Sequence, residues 1–117
     1  MEKIVIYHNP RCKKSRAGLA YLQEKKFDIE IVKYLDEGIE EPKLQEIFSL
    51  LGVKPLEMIR KQEKAFKEEL RGKELTDAEY IKAICANLKL LHRPIVIVDD
   101  KKAVWADPPE NIDKILS

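Results

Sequence analysis

Four consecutive β-branched residues, Ile95, Val96, Ile97 and Val98, stand between Pro94 and the pair Asp99 and Asp100, and no other stretch limits the fold as tightly. A run with no polar side chain reads as a strand covered on both faces, so it belongs in the middle of a sheet. A second run, Ile4, Val5 and Ile6, is of the same kind and should stop near His8. Directly after it, Ala17, Leu19, Ala20, Tyr21 and Leu22 recur at roughly helical spacing, which predicts an amphipathic helix beginning near Lys13. Phe27, Ile29 and Ile31 then alternate with Asp28 and Glu30, the pattern of a half-buried strand over residues 27–35. The chain therefore opens β-α-β.

The middle reads as helical. Residues 36–42 break the strand pattern, Pro42 suits the first turn of a helix, and Gly52 suits its end. Residues 55–63 and 65–73 read as short helical pieces, and Thr76 with Glu79 has the spacing of a capping box ahead of a helix over 77–88. Past the β-branched run, Ala103 to Trp105 predict a short hairpin strand, and residues 109–117 a terminal helix. The expected fold class is α/β, a four-stranded mixed sheet of the thioredoxin-like plan, with a helical insertion at residues 42–90 between the second and third strands.

At 117 residues the chain is expected to form a single domain, residues 1–117. A formal net charge of +1 argues against a general nucleic-acid or anionic-membrane binder. No apolar stretch approaches the roughly 18–20 residues of a membrane span, and MEKIVIYHNP lacks the apolar run of a secretory signal, so the expected location is cytoplasmic. The 2 cysteines lie far apart in unlike contexts, which suits reduced thiols better than a disulfide. His8 and His92 with the two cysteines show no zinc-type spacing, and no metal site or bound cofactor is expected.

Cys12 sits in YHNPRCKKSR, at the entrance of the first helix and among Arg11, Lys13, Lys14 and Arg16. Unpaired N–H groups and the positive end of the helix dipole favour a thiolate there, with a pKa in the range of about 3.5–7.5 against about 8.5 for a free thiol. The same groups attract an oxyanion, so one loop can hold an anion against its own nucleophile. Ser15 stands where dithiol oxidoreductases keep a second cysteine. A monothiol must hand its intermediate to an external thiol such as glutathione or a glutaredoxin. Ser15 is a candidate hydrogen-bond donor to the sulfur, and His8 is another, or an imidazolium that stabilises the thiolate. Free cysteines are also commonly small buried hydrophobes. That is the expectation for Cys85, which lies among apolar neighbours on a predicted helix.

The loop HNPRCKKSR, followed in order by LEMIRKQE and HRPIVIV, resembles the arsenate reductase family of the glutaredoxin-coupled type, over nearly the whole chain. That branch of the thioredoxin-like superfamily also contains the Spx-type redox regulators. The resemblance implies that Cys12 attacks arsenate to form a thiol-arsenate adduct, that His8 helps to depress its pKa, and that Ser15 completes the loop. It implies Asn9, Arg16, Arg60 and Arg93 as the residues that bind the oxyanion, arginine being suited by its planar fork of donors. It also implies a cis bond before Pro94. One departure stands out: Ala106 occupies the position matched to a third family arginine, with Asp107 beside it. Restoring arginine at 106 is expected to raise arsenate turnover, and a thiolated substrate is a second candidate. The other reading is a regulator that docks on the RNA polymerase alpha subunit without catalysis, since fold does not fix function.

Overall fold

The computed structural model describes residues 3–116. Its strands are β1 (Lys3–Tyr7), β2 (Asp28–Val32), β3 (Ile95–Val98) and β4 (Lys102–Trp105). Its α-helices are α1 (Lys13–Glu24), the single turn α2 (Tyr34–Glu37), α3 (Glu41–Leu51) and α4 (Asp77–Ala86). The chain falls into two compact units, one made of the residues up to Glu37 with those from Arg93 onward, the other of Gly38–His92.

The first unit is built on a mixed sheet of strand order β2-β1-β3-β4, with β1 parallel to β2 and antiparallel to β3, and β3 antiparallel to β4. The run that opened the argument is thus an interior strand, and all four of its residues are buried. Ile4, Ile6, Val96 and Val98 form a core with Leu22 of α1, Ala106, Ile112 and Ile115. Each fully buried isoleucine or valine contributes about 1.5–3 kcal/mol, enough to offset the roughly 1–2 kcal/mol of backbone entropy lost at that residue. The hairpin turns through Asp99 and Asp100 at φ 53° and 56°, the positive values that the two central positions of a type I′ turn demand, with Lys101 N donating to Val98 O at 3.0 Å within the loop 99–101. Asp99 is tied back to the start of β1, where Lys3 N donates to its Oδ1 at 2.8 Å.

β2 stops earlier than the alternation suggests. Glu37 Oε2 accepts from Lys33 N at 3.0 Å, and the Asp36 and Glu37 amides donate to Lys33 O at 3.0 Å, so the backbone turns into α2 at Tyr34. Ile31 stays 40% exposed because β2 is an edge strand of the sheet. The terminal segment Pro109–Lys114 is a 3₁₀ helix rather than an α-helix. It is fastened to α1 by Tyr21, whose hydroxyl donates to Asp113 at 2.7 Å.

In the second unit α3 carries Pro42 in its first turn and ends at Gly52, whose φ of 69° is the left-handed closing conformation. It packs on α4, which starts with Glu79 N donating to Thr76 Oγ1 at 3.2 Å and Thr76 N donating to Glu79 Oε1 at 2.9 Å. The helical piece expected over 55–63 is a 3₁₀ turn that ends at Met58. Ile59 is extended and bridges Leu91, with Arg60 N donating to Leu90 O at 2.7 Å and His92 N to Met58 O at 2.9 Å. That pairing draws the chain out of the helix. The piece expected over 65–73 is a π-helical turn, Phe66–Leu70. Among the described residues no helix is long and apolar enough to cross a membrane.

Candidate active site

Strand register brings the site together. Tyr7, the last residue of β1, lies opposite Ile95, the first residue of β3, so the loop that follows β1 and the Arg93–Pro94 segment that precedes β3 leave the sheet at the same end. The loop is preset by its own backbone. Cys12 N donates to Asn9 O at 3.0 Å, and Arg11 N donates to Asn9 Oδ1 at 3.0 Å. Asn9 is buried, and its side-chain oxygen shapes the turn.

Cys12 is the N-cap of α1, with extended backbone at φ −94° and ψ 124°. A serine or aspartate there would place oxygen on the first amides of the helix; here a thiol stands at the cap and makes no such hydrogen bond. Burial pushes the Cys12 thiol up, but a hydrogen bond from the Arg93 side chain, the backbone N–H groups of Ser15 and Lys14, and the Arg93 charge together hold it below the ordinary thiol value. Arg93 has more to give. Its Nε and Nη1 are buried and have no hydrogen-bond partner. Unpaired buried donors of this kind cost free energy and mark a place where a ligand oxygen can be received. The Arg93–Pro94 bond is cis. The segment is braced by β4 and the residue after it, with Trp105 Nε1 donating to Arg93 O at 3.2 Å and Ala106 N to Pro94 O at 2.9 Å.

The remaining loop residues are tied to one another and to the loop backbone. Burial first, then the charge of Lys33 and, more weakly, that of Arg16, hold His8 below the ordinary histidine value, against a hydrogen bond with Ser15 that raises it. At neutral pH His8 is therefore an uncharged imidazole, and the positive field on Cys12 comes from Arg93. Ser15 is fully buried, and its hydroxyl is engaged by His8 Nδ1 at 2.8 Å and Asn9 N at 2.9 Å. Its backbone N–H, and not its hydroxyl, addresses the sulfur. Arg16 folds onto the loop, with Nη1 donating to Pro10 O at 3.0 Å.

Arg60 lies in the Gly38–His92 unit, where Nη1 meets Glu63 Oε2 at 2.7 Å and Lys89 O at 3.4 Å. Cys85 belongs to the same unit; burial and then Glu41 push its thiol up, so it is a quiet thiol at neutral pH. Among the described residues no group of His, Cys, Asp and Glu is arranged to hold a metal ion.

Ala106 is fully buried within the apolar core of the first unit, where its N–H donates to Pro94 O at 2.9 Å. The residue that bears on the cysteine loop is its neighbour: Asp107 Oδ2 meets Lys14 Nζ at 3.1 Å. Sequence reasoning also passed over Gly18, although a glycine inside a helical pattern signals close backbone approach. A Cβ at Gly18 would lie 2.8 Å from Pro94 Cγ, and Pro94 sits beside Arg93. Gly18→Ala is expected to lower stability by about 1–2 kcal/mol, because the ring clash outweighs the gain of up to about 1 kcal/mol in helix propensity. Urea unfolding checks this, and a stabilised variant would mean that the contact relaxes freely.

The ArsC family profile matches residues 7–115. The chain is 41% identical over 118 residues to an arsenate reductase of Neisseria meningitidis, covering 99% of this chain and 100% of that one. It is 38% identical to an arsenate reductase of Haemophilus influenzae, covering 97% and 98% of the two chains. The solved structure of an arsenate reductase from Vibrio cholerae superposes with a TM-score of 0.92 at 34% identity, over 97% of this chain and 98% of that one.

Proposed function

The chain belongs to the ArsC family, and on that basis we propose that it is a thiol-dependent arsenate reductase, an oxidoreductase whose nucleophile is Cys12. The observation that carries the proposal is the pairing of a thiol at a helix cap with Arg93, whose guanidinium favours the thiolate and keeps buried Nε and Nη1 donors unpaired. Arsenate is a tetrahedral oxyanion, and fixed donors aimed at its oxygens lower the cost of bringing a second anion to the thiolate.

Attack of Cys12 Sγ on arsenic forms an S–As bond and expels one oxygen as water. No oxidation state changes in that step. An external thiolate then attacks Sγ and breaks the S–As bond; the bonding pair stays on arsenic, which becomes As(III), while the two sulfurs become a disulfide. A second external thiol releases Cys12. With serine at position 15 the external thiol is required, and glutathione or a glutaredoxin suits the role. Asn9 and Arg16 hold the loop in shape, and the buried His8 and Ser15 pair fixes its base.

The test is the rate of Cys12 alkylation by iodoacetamide as a function of pH, in a Cys85→Ala background, with and without arsenate. Only the thiolate reacts, so the rate rises with pH through the folded-state pKa; a depressed pKa places the midpoint below that of an ordinary thiol. A low midpoint with arsenate protection, and arsenite formation that depends on added glutathione, is the expected result. An ordinary midpoint without protection would end this reading.

A further inference from the structure

Arg93 lies just ahead of β3, and the ladder that holds β3 thins out there. Ile95 and Trp105 form the end pair of the β3–β4 register. One step further, Ala106 N still donates to Pro94 O at 2.9 Å, but proline has no N–H with which to return the bond. The next tie is made by a side chain: Trp105 Nε1 donates to Arg93 O at 3.2 Å. Trp105 is half-buried at the end of β4, and its own carbonyl accepts from Asn111 Nδ2 at 3.2 Å. At its other end Arg93 is left open, since Nε and Nη1 are buried without a partner. An arginine side chain has several soft torsions, so a head kept open for a ligand is only as well placed as the backbone that carries it.

We propose that Trp105 is a positioning residue of the Cys12 site: its indole N–H, by holding the Arg93 carbonyl, fixes where the Arg93 guanidinium stands for an incoming oxyanion. The inference rests on the arsenate reductase reading and adds to it a residue that acts through Arg93. Any residue but proline at position 106 would offer the main-chain N–H that meets Pro94 O, whereas the bond to Arg93 O depends on the tryptophan side chain. Donors stabilise developing charge best when they are fixed beforehand, and a loosened donor loses that advantage. The bond bears on the thiol too, because the hydrogen bond and charge of Arg93 favour the Cys12 thiolate. Loss of the indole donor therefore reaches Cys12 by two routes, poorer reception of the oxyanion and less thiolate.

The test reads Cys12 alkylation by iodoacetamide against pH and against arsenate concentration, in the Cys85→Ala background. The chains compared are wild type, Trp105→Phe, Trp105→benzothienylalanine and Val104→Ala. Benzothienylalanine keeps the bicyclic shape and has sulfur in place of the N–H, so it deletes the donor while leaving the packing, and it carries the test alone should Trp105→Phe fail to fold. Val104 packs on the apolar core from the opposite face of β4, so Val104→Ala lowers stability without removing a bond to Arg93. Both changes at position 105 are expected to raise the pH midpoint of alkylation, and to raise the arsenate concentration that gives half protection by about 3- to 10-fold, the scale of one hydrogen bond. Val104→Ala should melt at a lower temperature and move neither reading. Arsenate protection that is unchanged in the benzothienylalanine chain, or weakened equally by Val104→Ala, overturns this inference alone. Wild type that arsenate does not protect overturns the oxyanion site itself, and this inference with it.

Discussion

Arg93→Met is expected to lower kcat/KM for arsenate by about 100- to 1000-fold, to raise the pH midpoint of Cys12 alkylation and to abolish protection by arsenate. Three losses coincide. The guanidinium is the main group holding the Cys12 thiol below its ordinary value, so without it less thiolate is present at neutral pH. Its two unpaired N–H groups are lost as oxyanion donors, and charged hydrogen bonds are worth about 1.5–3 kcal/mol each. Arg93→Lys should recover part of the midpoint shift, since it restores the charge, but not the protection, since an ammonium lacks the planar fork. Stability should move the other way. Methionine removes buried donors that have no partner, so the variant is expected to unfold at equal or higher urea concentration than wild type. Unchanged arsenate protection in Arg93→Met would remove this residue from the site.

Ala106→Arg is expected to destabilise the protein by about 4–5 kcal/mol or more, a large share of the roughly 5–15 kcal/mol that holds a domain together. Ala106 is fully buried among Ile4, Ile6, Leu22 and their neighbours, and its Cβ would lie 3.8 Å from a Cβ built on Gly18. Arginine must there bury a guanidinium without a partner or push α1 off the sheet; either is costly. Urea unfolding and expression in soluble form are the measurements. A folded variant with higher arsenate turnover would mean that this position faces the substrate.

The contrast between these two residues shows what the sequence carried. Arg93 was marked by the family resemblance of HRPIVIV, and because the apolar run after it allows only one kind of placement, register carries it to the Cys12 end of the sheet. Ala106 and Asp107 follow a short strand in a proline-bounded corner, where a shift of one residue exchanges the buried position for the one that meets Lys14. Local patterns also identified Thr76 with Glu79 and the turn at Gly52, because caps and αL closures are decided within a few residues. Ile59 was misread for the complementary reason: its extended conformation comes from pairing with Leu91, which a local window does not contain. For His8, offered as a hydrogen-bond donor or as an imidazolium, burial and then the charge of Lys33 favour the uncharged form, and neither is contained in a local window.

Cys12 and Arg93 come from opposite ends of the chain and meet only when β3 has joined β1. During synthesis the thiol emerges early and its activating guanidinium late, so a growing or unfolded chain carries an ordinary, sluggish cysteine. Reactivity is switched on by the last strands to be made. The lowered pKa of Cys12 is thus a property of the closed sheet and not of its own loop alone.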